Sequence, residues 1–196
     1  MISVHPVYKI KRKIVLTFTT LSAVLMVMNL LLVQQNRELK ASTKKSDRLL
    51  EVHPGTKLPP LKGVAASGDK VTFGFDDSAR KTLLLVLSPT CRPCEENMVN
   101  WKAMVKKLDR QAYRIVAVSL KPDQAKEYVE SHELGDIPVI TEVDPETKAA
   151  YSLSATPQTI LLDSNGQAEK VWSGILAGQK REEVEATFKI KLTGKF

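Results

Sequence analysis

The chain has 196 residues, 43% of them hydrophobic and 26% charged, a composition that excludes wholesale disorder and a collagen-like fibre. The formal net charge is +7, but residues 1–51 hold nine Lys/Arg against three Asp/Glu and so carry +6 of it. The other 145 residues carry +1, which argues against a basic nucleic-acid-binding face on the folded part, and only two cysteines are present, which excludes a multi-bridge disulfide scaffold.

The first element is the run 14–33, 20 residues without a charge. As a helix it spans roughly 30 Å, about the thickness of a bilayer's hydrocarbon core. Lys9, Lys11, Arg12 and Lys13 precede it and favour a cytoplasmic N-terminus. Arg37, Lys40, Lys44, Lys45 and Arg48 on the other side weaken that bias. A cleaved signal peptide competes, but it has a shorter apolar stretch and a small-x-small cleavage site, and neither is seen after this run. The expected organisation is a cytoplasmic N-terminus (1–13), a transmembrane anchor (14–33) in contact with lipid, a polar stalk (34–53) and a folded domain (54–196). His53-Pro54-Gly55 ends any helical continuation of the stalk.

The folded part alternates strands and helices. Residues 63–74 read as a hairpin turning at Ser67-Gly68-Asp69. The unbroken apolar run 82–87 (TLLLVL) predicts a buried central strand, and 113–120 (YRIVAVSL) a second. Met98, Trp101, Val105 and Leu108 recur at helical spacing and predict a helix over 91–108. Another helix is expected over 123–133 after Pro122, and a strand over 137–141. Asp144-Pro145-Glu146 is a helix start with Asp144 as cap. Residues 158–163 and 168–172 form a hairpin around Ser164-Asn165-Gly166, and 181–190 close the chain as a helix. This order implies an α/β sandwich around a mixed sheet.

The chemistry concentrates at Cys91-Arg92-Pro93-Cys94, where both cysteines lie in one C-x-x-C at a strand-to-helix junction. A helix N-terminus presents unpaired N–H groups and the positive end of the dipole, and both favour thiolate over thiol. Cys91 is therefore assigned as attacking thiolate and Cys94 as resolving thiol in exchange through a mixed disulfide. Pro93 pre-sets a helical φ and removes a donor that is unpaired there in any case. Arg92 lowers the thiolate pKa while Glu95 and Glu96 raise it, so the net sign stays open at this level. A half zinc site is the competing reading, but no further Cys exists and His5, His53 and His132 are scattered. A structural disulfide gains little from closing so short a loop. No metal or other cofactor is expected beyond a redox-active Cys91–Cys94 disulfide.

A second signal is Ala155-Thr156-Pro157 at the entry of the strand 158–163. A cis Thr156–Pro157 bond brings Thr156 backbone atoms beside Cys91, where they can pair with an extended substrate segment. An ordinary loop proline is the alternative.

With "LLLVLSPTCRPCEENM", "YRIVAVSL" and "SATPQTILLDSNGQAEKVWSG" in this order, residues 54–191 resemble the thioredoxin fold. More narrowly they resemble the membrane-anchored TlpA-type or ResA-type thiol–disulfide oxidoreductases. The resemblance implies a three-layer sandwich with helices on both faces of a mixed sheet, an N-terminal hairpin at 63–74 and an inserted strand and helix at 132–151. It implies active cysteines at Cys91 and Cys94 and a cis-proline at Pro157. It also implies a domain facing the periplasm or outer side of a bacterial cytoplasmic membrane. The expected partners are a membrane electron conduit as reductant and protein thiols or disulfides as clients, such as apocytochrome c or metalloprotein cysteines. The chain departs from the pattern at Thr90, where Trp is usual, at Leu85, where thioredoxins carry a buried acid, and at Asn97, where ResA-like members often carry Glu. The "SPTC" lead-in is closer to the accessory redoxin of methylamine dehydrogenase maturation. A redoxin-type thiol peroxidase and a non-catalytic tethered adaptor are the alternative functions. The first lacks the Pro-x-x-x-Thr-x-x-Cys spacing, since Pro89 and Thr90 stand too close to Cys91.

Overall fold

The structure is a computed structural model that describes residues 6–49, 52–75 and 80–194. The first five residues of the expected N-terminal segment and the last two of the expected domain lie outside the described residues. The chain divides into two compact units, Met1–Leu50 and Glu51–Phe196.

The first unit is one helix, α1 (Pro6–Leu49), 44 residues long. It continues through the polar stretch after the apolar run, because nothing before His53-Pro54 breaks it. Its segment Phe18–Glu38 is long and apolar enough to cross a membrane. Three polar side chains within it bond back to the helix: the Thr19 and Thr20 hydroxyls each donate to the Leu16 carbonyl at 3.0 Å, and the Asn29 amide donates to the Leu25 carbonyl at 2.9 Å. Such back-bonding removes the need for outside partners.

The second unit is a seven-stranded mixed sheet of β1 (Leu61–Ala65), β2 (Lys70–Phe73), β3 (Lys81–Leu87), β4 (Tyr113–Ser119), β5 (Val139–Val143), β6 (Gln158–Leu162) and β7 (Ala168–Ser173), in the order β2-β1-β5-β4-β3-β6-β7. The β3–β4 and β4–β5 pairs are parallel; β1 is antiparallel to β2 and β5, and β6 to β3 and β7. The strand period of two divides the apolar residues of β3 between two cores. Leu83, Leu85 and Leu87 pack with α2 (Arg92–Lys107), α3 (Ala125–Ser131) and α5 (Gln179–Phe188). Leu84 and Val86 pack on the other face with Leu58, Tyr151 and Leu153, beside and beyond the short α4 (Pro145–Ala150). Helices on both faces of a mixed sheet make the three-layer sandwich that the resemblance implies. On the α4 side the buried Tyr151 hydroxyl donates to the Pro59 carbonyl at 2.6 Å and anchors the segment leading into β1; burial pushes its phenol pKa up.

Several boundaries differ from the sequence expectation. The helix expected over 123–133 is confined to Ala125–Ser131, because Gln124 and Glu133 on either side adopt positive φ of 63° and 51°. The strand expected over 137–141 runs Val139–Val143 instead. Pro138 has no N–H for the ladder, and pairing with β1 (Gly63 with Val143, Val64 with Glu142) extends the far end. The last helix lies two residues earlier than expected and stops where Lys189 turns left-handed at φ 55°. Asp144 caps α4 as expected, its carboxylate accepting from the Thr147 N–H at 3.0 Å.

Gly63 sits where β1 meets β5 most closely: a Cβ there comes within 2.3 Å of the Glu142 carbonyl oxygen and 2.6 Å of Ile140 Cγ2. Gly63→Ala is expected to lower stability by about 1–3 kcal/mol, read by denaturant unfolding. At the C-terminus Glu185 accepts from the Leu192 N–H at 2.8 Å and pairs with Lys191 and Arg181 at 3.0 and 3.3 Å. The Leu192 N–H first, then the two cations, lower its pKa from the ordinary 4.5 to about 2. A depressed carboxylate stabilises the fold above its unfolded pKa and loses that contribution as pH falls through the folded one. Acid unfolding between about pH 4.5 and 2 is therefore expected to be less steep in Glu185→Gln, while at pH 7 the variant is the less stable protein.

Candidate active site

The dithiol owes its place to β3. Its residues 82–87 are all buried, so the chain leaves the core only beyond Leu87. It turns over Ser88-Pro89-Thr90, with the Cys91 N–H donating to the Ser88 carbonyl at 3.0 Å, and enters α2 at once. Cys91 is the N-cap, in an extended conformation (φ −98°, ψ 102°), with Pro93 inside the first turn. The Cys94 N–H donates to the Cys91 carbonyl at 2.9 Å and reaches Cys91 Sγ at 3.2 Å. A sulfur thus occupies the position that a capping oxygen takes in most helices. Cys91 and Cys94 are joined as a disulfide, with Cα atoms 5.2 Å apart. Cys91 is partly exposed and Cys94 fully buried, an asymmetry set by the helical turn between them.

Arg92, Pro93, Glu95 and Glu96 lie in the first turns of α2, whereas Thr156 and Pro157 precede β6. Thr156 is half-buried and Pro157 buried, and the bond between them is cis. Val86 of β3 pairs with Gln158 of β6, so the end of β3 that leads to Cys91 and the start of β6 that follows Pro157 lie at the same end of the sheet. The Pro157 carbonyl accepts from the Gly174 N–H at 2.8 Å, which ties its loop to the end of β7. Arg92 is almost fully exposed and pairs with Glu96 one turn on at 3.5 Å. Glu95 does not meet Arg92. Its carboxylate receives a bond from His132 Nε2 at 2.9 Å. His132 is the residue that sequence reasoning missed: it stands 37 positions from Glu95 and carries no local motif. Among the described residues no group of three or more His, Cys, Asp and Glu is arranged to hold a metal ion.

Below the dithiol two buried amides interrupt the largely apolar inner face of α2. Asn97 and Asn100 are fully buried. Asn97 Oδ1 accepts from the Leu176 N–H at 3.0 Å and from the Asn100 amide at 3.3 Å, and the Asn100 amide donates to the Leu176 carbonyl at 3.2 Å. These bonds hold the loop between β7 and α5 against the helix. One residue on, Trp101 Nε1 donates to Thr159 Oγ1 at 2.9 Å and fixes α2 to β6 two residues past Pro157. At the positions where the related pattern carries an acid, this chain buries Leu85 in the core and uses Asn97 as a hinge pin.

A model described as the AhpC/TSA family matches residues 54–171. The thiol-disulfide oxidoreductase ResA of Oceanobacillus iheyensis is 23% identical over 145 residues, covering 72% of this chain and 75% of its own. The methylamine utilization protein MauD of Paracoccus denitrificans is 27% identical over 95 residues, covering 47% of this chain and 44% of its own. In fold, the crystal structure of the thioredoxin domain of a thiol-disulfide oxidoreductase from Bacteroides vulgatus superposes with a TM-score of 0.55 at 16% identity, over 70% of this chain and 99% of that one.

Removing the Thr159 acceptor leaves the buried indole N–H unpaired. Thr159→Val is expected to cost about 1–3 kcal/mol in denaturant unfolding, and Trp101→Phe in the Thr159→Val background to recover part of it, because neither group is then left unsatisfied.

Proposed function

The chain belongs to the AhpC/TSA family, and from that premise we propose that it is a membrane-tethered disulfide reductase acting on protein cysteines through Cys91 and Cys94. The coarser activity, thiol–disulfide exchange on a thioredoxin-like fold, is that of a thiol-disulfide oxidoreductase. The observation that carries the reading is the disulfide with one partly exposed sulfur at a helix N-cap and one buried sulfur behind it. That is the arrangement needed for attack by one thiol and resolution by the other.

In the reduced protein the Cys91 thiolate is favoured by the Cys94 N–H and by the positive end of α2. The adjacent charges do not oppose this, because Arg92–Glu96 and His132–Glu95 pair off. Cys91 Sγ attacks one sulfur of a client disulfide. A mixed disulfide forms and the other client sulfur leaves as a thiolate. Deprotonated Cys94 then attacks Cys91 Sγ, the second client sulfur leaves, and the Cys91–Cys94 disulfide is restored. Two electrons and two protons pass to the client, and a dithiol donor returns them. Cys91 and Cys94 are the catalytic residues. Thr156, beside cis Pro157, offers backbone groups to an extended client segment at the same end of the sheet.

The tether is the span Phe18–Glu38. Lys9, Lys11, Arg12 and Lys13 ahead of it favour a cytoplasmic N-terminus, which puts the dithiol outside the cytosol. There protein disulfides persist and need a reductant. A membrane electron conduit supplies the electrons, and cysteines of maturing cytochromes or metalloproteins are the client class.

The full chain in detergent, supplied with dithiothreitol, is expected to reduce insulin. Cys91→Ser is expected to lose this activity by at least about a hundredfold, since no second thiolate takes its place. Cys94→Ser is expected to accumulate a mixed disulfide visible on a non-reducing gel. A wild-type chain that reduces nothing, together with a Cys94→Ser variant that traps nothing, defeats the reading, and Cys91-dependent consumption of peroxide replaces it with a peroxidase.

A further inference from the structure

We propose that His132 is a charge-compensating residue for the dithiol: by neutralising Glu95 it holds the Cys91–Cys94 couple poised toward the reduced form. The inference deepens the disulfide-exchange reading and depends on it.

His132 caps the C-terminal end of α3 and is three-quarters buried. Its Nδ1 lies 2.7 Å from the Tyr128 carbonyl and 3.2 Å from the Ser131 hydroxyl, and its Nε2 lies 2.9 Å from Glu95 Oε2. A carbonyl and a carboxylate only accept. Both bonds are made together, with Glu95 ionised, only when both ring nitrogens carry hydrogen, and the ring is then a cation. The end of a helix, with its unpaired carbonyls, favours a cation there. The Tyr128 ring packs on the imidazole with centroids 4.3 Å apart and keeps it in place. The buried Tyr128 hydroxyl makes no hydrogen bond of ordinary geometry, and its pKa is raised first by burial and then by the nearby Glu95 carboxylate.

Arg92 is engaged by Glu96, Lys102 by Glu133 at 3.5 Å, and Lys126 by Glu130 at 3.9 Å. Among the described pairs, the side chain that faces Glu95 is His132. Glu95 directly follows Cys94, and its N–H donates to the Cys91 carbonyl at 3.3 Å. Left uncompensated, that carboxylate raises the energy of any thiolate formed beside it. Since reduction creates the thiolate and oxidation removes it, an unpaired Glu95 favours the disulfide and a paired one favours the dithiol.

The test is a redox titration of the full chain in detergent with glutathione. The disulfide takes up two glutathione thiols' electrons to give the dithiol and one glutathione disulfide. His132→Gln is expected to shift this equilibrium about two- to fivefold toward the disulfide, the size of a partly exposed charge pair, and to slow alkylation of reduced Cys91 at pH 7. His132→Arg, which keeps the positive charge, is expected to restore most of both. In a Glu95→Gln background the His132→Gln step is expected to have a smaller effect, and raising the salt to about 1 M is expected to shrink the wild-type-to-variant difference. The inference is overturned if His132→Gln leaves the equilibrium unchanged, or if His132→Arg behaves like His132→Gln, which would mark a purely structural role. A wild-type chain whose Cys91–Cys94 pair does not exchange with glutathione at all removes the exchange reading itself, a result separate from either of these.

Discussion

The molecule turns on a helix whose cap lies four residues beyond the end of a strand with no solvent-facing side. Residues 82–87 are buried on both faces of the sheet, so the backbone first meets water at the turn before α2. The helix therefore starts at the edge of the core, and its cap position falls on a residue at the surface. Because that residue is Cys91, the Cys94 N–H meets a sulfur there. The partly exposed and buried members of the C-x-x-C follow from a single helical turn, with no further device needed.

Electrostatics around the cap are simpler than the residue types suggest. An arginine and two glutamates crowd the motif, and a sum of their charges gives no clear sign. In three dimensions Glu96 takes Arg92 along the helix, and Glu95 is taken by His132 from a neighbouring helix. The Cys94 N–H meets the Cys91 sulfur at the N-terminal end of α2. No carboxylate occupies either position where the related pattern has one. Leu85 belongs to the apolar core and Asn97 is committed to Leu176. An amide at this place cannot exchange a proton as a carboxylate does; here Asn97 and Asn100 hold the loop after β7 instead.

Those amides and Trp101 tie distant parts of the chain to α2. Asn97 and Asn100 grip the segment after β7, and Trp101 grips β6 just beyond Pro157. The Gly174 N–H closes the triangle on the Pro157 carbonyl. Buried polar groups are costly unless paired, which is why such contacts select one arrangement of the loops and disfavour others.

The sequence alone determined the elements whose signals are local. A short unbroken apolar run such as 82–87 is typical of a strand buried on both faces, Asp144-Pro145 can cap and start a helix from within three residues, and the C-x-x-C follows that run at a helix start. The α/β class, the approximate elements and the cysteine pair were legible for that reason. Boundaries were less so: Val139–Val143 begins late because Pro138 lacks an N–H and ends late because β1 pairs with it, and only the second cause is invisible in the local pattern. Tertiary structure decided the strand order, which sets β1 beside β5 rather than β3. It also decided the union of Glu95 with His132, of Asn97 with Leu176 and of Trp101 with Thr159. Each of these joins residues 37 to 79 positions apart. Periodicity reports which side of an element a residue occupies, while the identity of the neighbour on that side is set by how the elements pack.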